Sequence, residues 1–466
     1  MRALVVFVAV FVGLMASLDA SQQVELNAGD PDGTTLLHRA VDRDDGKEVS
    51  ALLRAGANAK ASNRYGITPL WLACLNGNVA IIEALLKAGA DPNTATPEGE
   101  TVLMAAARTG KVDAVRALLV RGANVNAKEG WRGQTALMWA AAEGHPRVIQ
   151  VLIESGADIH ARSTGGFTAL LFAARDGQLP AVRTLLDAGA SLTDSLPARR
   201  RGTSGDTPAE PPLGGLNAFL LASGSAHYEL AAFLLSRGAD PNAAPQGWTA
   251  LHQVSWVRKA GVAGSNNPAP EGSGNLSSLD FVRTLAHKGA DLDAHVTRRP
   301  PAGITSLNFS GGTPFLLAAR TADFELMRLL VELGADPLLP NEDKTSPLMV
   351  AAGVGTSSPG EDPGTEPEVL EAVKLALALG NDINAVDQNG ETAMHGAAYK
   401  HVPSVAQFLA EKGAQIEIWN QPNKKGYTPL RISEGIQRGM NVVSHAPTAA
   451  AIRSILSTTG RSEALQ

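Results

Sequence analysis

Cysteine is nearly missing from this chain of 466 residues: there is one, Cys74. A single thiol rules out a disulfide framework, a Cys-x-x-Cys zinc or redox motif and a Cys-x-x-Cys-His haem attachment. It lies in Pro69-Leu70-Trp71-Leu72-Ala73-Cys74, a run that reads as a buried helix, where a thiol packs as a small hydrophobe. An excess of one charge is missing too. With 40 Lys and Arg against 46 Asp and Glu the net charge is −6, so nothing draws the whole chain to nucleic acid or to an anionic membrane. Catalytic signatures are likewise lacking: there is no His-Glu-x-x-His helix, no Walker loop and no Gly-x-Ser-x-Gly elbow. The ten histidines are scattered, and neither His287 with His295 nor His395 with His401 shares a helical face beside a carboxylate, so they read as structural or solvated. No catalytic residue, metal or cofactor is expected.

Long apolar runs are confined to the N-terminus. Ala3 to Ala16 is uncharged, follows Met1-Arg2 and precedes small residues at Ser17-Leu18-Asp19-Ala20. This pattern predicts a secretory signal peptide over 1–20. The run is shorter than the roughly 20 apolar residues that span a bilayer, and no later segment comes close. No cysteine follows it to carry a lipid, so a periplasmic or secreted product, free of the membrane after cleavage, is expected, with an uncleaved anchor as the open alternative.

What the chain has is a period. Gly56, Gly89, Gly122, Gly156, Gly189, Gly238, Gly289, Gly334, Gly380 and Gly413 each follow a leucine-rich stretch, and the first four intervals are 33, 33, 34 and 33 residues. A fixed period of this length decides the architecture before any local prediction does. Within one unit, Val112, Val115, Leu118 and Leu119 fall on one face of a helix, and Gly122 supplies the left-handed residue that ends it. The next unit opens with Gly133-Gln134-Thr135-Ala136-Leu137-Met138-Trp139-Ala140-Ala141, a short helix whose alanines let neighbours approach closely.

These units resemble ankyrin repeats. The family's Gly-x-Thr-Pro-Leu-His-x-Ala-Ala signature is approached by Gly66-Ile67-Thr68-Pro69-Leu70-Trp71, Gly247-Trp248-Thr249-Ala250-Leu251-His252, Gly390-Glu391-Thr392-Ala393-Met394-His395 and Gly426-Tyr427-Thr428-Pro429-Leu430. The resemblance implies an all-α solenoid of about ten helix-turn-helix units and a C-terminal capping unit, with short β-hairpin fingers. It also implies that His38, His252 and His395 bond backbone groups. The combination of export signal, degenerate repeats and insertions is similar to exported ankyrin-repeat proteins of environmental bacteria.

Regular repeats are expected over 21–192, where Asp42-Arg43-Asp44-Asp45 reads as a solvated cap. A Pro/Arg-rich insertion follows at 193–214, repeats six to ten run over 215–425, and a degenerate capping repeat with its tail fills 426–466. Insertions are expected at 261–274, 295–310 and 353–367. Those at 193–214 and 295–310 replace fingers and carry Arg199, Arg200, Arg201, Arg298 and Arg299. Those at 261–274 and 353–367 separate the helices of a unit and are expected on the opposite edge. Uninterrupted stacking predicts that the first five units unfold more cooperatively than the rest.

Family members meet their ligands on a concave face of finger tips and first helices. On this chain the resemblance places there Arg64, Tyr65, Ile67, Trp131, Arg132 and Phe167, followed by Arg175, Trp248, Arg320, Tyr399, Lys400 and Tyr427. The set is rich in aromatics and arginine, which dominate interface energetics, although aromatics are 5% of the chain. The reading is an exported, monomeric, non-catalytic scaffold that binds another protein. Two alternatives stay open: an enzyme or small-molecule receptor with a pocket among the second-half insertions, around His252, Arg298, Arg299 and His395, or an accessory subunit of a periplasmic redox or envelope enzyme.

Overall fold

A computed structural model describes residues 26–197, 214–259, 270–298, 305–360, 362–438 and 441–458. The expected signal peptide, Arg199, Arg200, Arg201 and Arg299 lie outside the described residues. The chain divides into two compact units, Met1–Asp194 and Ser195–Gln466.

The first unit contains five pairs of short antiparallel helices. Their inner members are Leu36–Asp42, Pro69–Asn76, Val102–Arg108, Ala136–Ala142 and Ala169–Arg175; the outer ones are Gly46–Arg54, Val79–Lys87, Val112–Val120, Pro146–Glu154 and Leu179–Asp187. Each inner helix starts at a threonine. Thr35, Thr68, Thr101, Thr135 and Thr168 are extended, and their side chains accept the N–H three residues on, a helix-start bond worth about 1 kcal/mol. The alanines that follow are buried, as Ala105, Ala106 and Ala107 show, so adjacent inner helices pack face to face. Outer helices bury one stripe only. Ile81, Ile82, Leu85 and Leu86 are buried while Glu83 and Lys87 face water, and each such leucine contributes roughly 1.5–3 kcal/mol. Gly122 ends its helix with φ of 87°, and a Cβ there would meet nothing within 4 Å, so the backbone angle alone calls for glycine.

Between pairs the fingers are turns. The β-hairpins implied by the resemblance shrink in the first unit to the bridged pairs Gly29↔Thr35 and Ala95↔Thr101. The reason is local: side chains close the turns, as where Asn63 Oδ1 accepts the N–H groups of Tyr65 and Ile67, both at 3.0 Å. Fingers then bond sideways to one another. Arg64 N–H donates to Asp32 O (2.8 Å), Gly130 N–H to Glu98 O (2.7 Å) and Thr164 N–H to Arg132 O (2.8 Å). A second ladder runs through the turn after each outer helix. There the asparagine four residues past the helix-ending glycine accepts from the next repeat: Asn124 N–H donates to Asn93 Oδ1 (2.7 Å) and Asp158 N–H to Asn126 Oδ1 (2.9 Å).

The second unit repeats the design with inner helices at Ala218–Gly224, Ala250–Val257, Pro314–Arg320, Pro347–Ala352, Ala393–Lys400 and Pro429–Glu434. A two-stranded antiparallel ladder, Ile436–Arg438 with Asn441–Val443, precedes the last helix, Ala446–Thr458. Where they are described, the segments at 295–310 and 353–367 do not project from opposite edges as expected but meet. Thr305 bridges Thr356, and Ser306 N–H and Thr305 Oγ1 both donate to Gly355 O, at 3.1 and 2.6 Å. Both segments carry apolar side chains, Leu307 and Phe309 in one and Val354 in the other, and meeting removes all three from water.

Among the described residues no helix is long and apolar enough to cross a membrane.

Candidate functional site

In the first unit, the finger tips and inner helices of the second to fifth pairs enclose a groove of about 930 Å³. It gathers six residues singled out in the sequence: Arg64, Tyr65, Ile67, Trp131, Arg132 and Arg175. Trp131 is 76% exposed and Tyr65 55%, unusual for side chains of that size. A guanidinium covers one face of each: Arg132 is 4.6 Å from the Trp131 ring centre and Arg64 4.7 Å from that of Tyr65. Phe167 is half-buried just outside the lining and packs on Phe172, centroids 4.9 Å apart. Arg175 lies 5.0 Å from the Phe172 ring and forks onto Asp176 with bonds of 2.7 and 2.8 Å.

Several lining residues escaped the sequence reading. Trp71 and Trp139 stand on the inner helices, and Glu98, Glu100 and Glu129 on the fingers. The signal for Trp71 was a departure from the motif, since it stands where His38, His252 and His395 stand in their own units. Those histidines are fully used. His38 Nδ1 meets Thr35 N and Oγ1 at 3.2 and 2.8 Å, and its Nε2 donates to Ile67 O at 3.0 Å. Trp71 cannot copy this. Its Nε1 and that of Trp139 are sealed from solvent and make no hydrogen bond within the described residues, and the same holds for Thr96 Oγ1 and Glu100 Oε1. Four such atoms lining one groove are unusual, because buried polar atoms are normally satisfied. Burial works against the charge of Glu129, yet the backbone N–H groups of Gln134, Arg132 and Trp131 outweigh it and hold the carboxyl below its ordinary range.

The corresponding face of the second unit is closed, and four expected contact residues are corrected there. Trp248 is buried in a cluster with Val296, Leu307, Phe309, Leu316, Leu317 and Val350, its ring edge-on to Trp256 at 5.9 Å. Arg320 is buried against Asp362, with N–O at 3.3 Å and side chains 9% and 7% exposed. Lys400 is buried and donates from Nζ to Pro363 O at 2.8 Å; burial pulls its amine down to about 8. Tyr399 is buried where its hydroxyl accepts from Asn423 Nδ2 at 2.9 Å. The physical reason is shared by the first three: the inserted segments fold back over the inner helices and supply the partners. Tyr427 is half-buried, and its backbone oxygen accepts from His395 Nε2 at 3.2 Å. Arg298 stays exposed.

The alternative pocket around His252 and His395 is not formed by those rings. Each is buried, bonded at Nδ1 to Thr249 or Thr392 and at Nε2 to a carbonyl of the next finger, and burial holds both imidazoles down to about 4. Among the described residues no three His, Cys, Asp or Glu side chains are grouped to hold a metal ion. Cys74 is buried, and burial raises its thiol far above the usual range. Asp45 caps Gly46–Arg54 by accepting from Lys47 and Glu48 N–H, and the rest of the run at 42–45 is exposed.

Comparison with known proteins places this architecture. Residues 7–96, 103–196 and 366–437 match the family model for ankyrin repeats (3 copies), and residues 310–342 match that for a single ankyrin repeat. Protein lin-12 of Caenorhabditis elegans is 28% identical over 192 residues, covering 37% of this chain and 13% of that protein. Ankyrin repeat and SOCS box protein 16 of Homo sapiens is 30% identical over 200 residues, covering 32% of this chain and 44% of that protein. The chain thus spans less than half the length of either of these curated relatives. With threonine-capped inner helices, glycine-ended outer helices and family matches over more than half its length, the chain belongs to the ankyrin-repeat family, a family of non-catalytic scaffolds.

Proposed function

We propose that this chain is an exported, monomeric scaffold that binds a protein partner non-covalently, and that the groove of the first unit is where it does so. One observation carries the reading: two large aromatic side chains, Trp131 and Tyr65, stand exposed at the groove rim with an arginine laid on each. Residues of these types at the centre of an interface supply most of its binding energy. Export rests on the sequence of residues 1–20 alone. A partner serving a periplasmic or envelope enzyme would make the chain an accessory subunit of that enzyme without changing the mode of binding.

The test is a Trp131→Ala/Arg132→Ala variant of the full chain, compared with the parent in recovery of a stoichiometric partner from native extract. Affinity is expected to fall by about tenfold or more. Stability should change by no more than about 0.5 kcal/mol, since both side chains are exposed. Unchanged recovery would remove the groove from the binding site, and equal loss of binding and stability would show that these residues support the fold.

A further inference from the structure

Given that the groove is a binding site, its charge and its unsatisfied atoms specify what it binds. We infer that it takes an extended peptide segment carrying a lysine or arginine side chain. The first ground is charge. Five carboxylates line the groove against three guanidiniums, and the guanidiniums are engaged: Arg64 on Tyr65, Arg132 on Trp131, Arg175 on Asp176. Glu129 is occupied by backbone N–H groups. Glu98 and Glu143 are exposed, with no side-chain hydrogen bond or ion pair among the described residues. Glu100 is ion-paired with Arg108, at 3.4 Å, so Glu98 and Glu143 are the carboxylates left without a partner among the described residues. The uncommitted charge of the groove is therefore negative, and a cationic side chain complements it while an acidic segment or a phosphate is repelled.

The second ground is hydrogen bonding. An indole N–H only donates and a carboxylate oxygen only accepts. Two indole donors without acceptors, on Trp71 and Trp139, thus lie in the floor of the groove, closed to solvent and open to a carbonyl only when an entering segment displaces the side chains over them. A peptide main chain offers carbonyls and N–H groups in alternation, and in its extended form it presents both along a groove. The aliphatic stem of lysine or arginine suits the exposed surface of Trp131, with the charge reaching Glu98.

A library of random heptapeptides displayed on phage and panned on the full chain tests this. The selected peptides should share a lysine or arginine at a fixed position. A synthetic copy of the leading sequence should bind the Glu98→Gln/Glu143→Gln variant at least about tenfold more weakly than the parent, charge-assisted bonds having been lost. Binding to Trp71→Phe/Trp139→Phe, which keeps the rings and removes both donors, should fall about fivefold. Selection of acidic peptides, or unchanged affinity for the double glutamine variant, overturns the inference and leaves the groove as a binding site. Peptides that still bind Trp131→Ala/Arg132→Ala, or no enrichment at all, count against the inference and the groove together.

Discussion

The two units are built from one repeat and differ in what covers its inner face. In the first, Trp131 and Tyr65 stand in water over a groove of about 930 Å³. In the second, Trp248, Arg320 and Lys400 also lie on the inner face and are buried against Leu307 and Phe309, Asp362, and Pro363 respectively. The repeat fixes which side chains face inward. Whether they meet solvent depends on the length and composition of the chain inserted between repeats.

That contrast is sharpest in acid. His252 and His395 titrate near 4 in the folded second unit and near 6.5 when unfolded, so below 6.5 the unfolded state binds more protons. Their contribution is complete above pH 6.5 and is lost as pH falls towards 4, by about 3 kcal/mol for each histidine. In the first unit only His38 occupies the equivalent place, and burial lowers it as well. Hydrogen exchange by mass spectrometry between pH 7 and 4.5 should therefore show the second unit losing protection first. Equal loss in both units would erase the distinction.

Next in size is Arg320→Met, which leaves Asp362 buried without its partner. It is expected to cost about 3–5 kcal/mol in the second unit, and the paired change with Asp362→Leu should recover most of this. Denaturant titration read by exchange in each unit checks it, and loss of protection in the first unit would mean that the two do not respond separately. Smallest is Asn126→Ala, which removes bonds to Asp158 N–H and Gly156 O at 2.9 and 3.0 Å. Both are exposed, and about 1 kcal/mol is expected, confined to the first unit.

The first unit was largely legible in the sequence. Glycines at a period of about 33 located the ends of the outer helices, and finger-tip aromatics pointed to the groove rim. Trp71 and Trp139 were missed because each reads as an ordinary apolar residue of a buried helix. Their unsatisfied N–H groups emerge only once neighbouring repeats are stacked. Burial in the second unit was not legible at all. Asp362 meets Arg320 across 42 residues and Lys259 meets Glu368 at 2.8 Å across 109, and no local pattern announces pairings of that separation. The expectation that the first five units unfold more cooperatively than the rest took the insertions as open, and segments 305–310 and 353–363 are tied down wherever they are described.

The asparagine ladder carries one more implication. Its rung from Asn93 to Asn124 closes over 31 residues, and the equivalent rung from Asn242 to Asp291 closes over 49 at the same 2.7 Å. The turn that makes it is blind to how much chain is looped out between its ends. Along that side the two rungs keep one spacing, so within this chain a segment between repeats lengthens without shifting the turns that flank it.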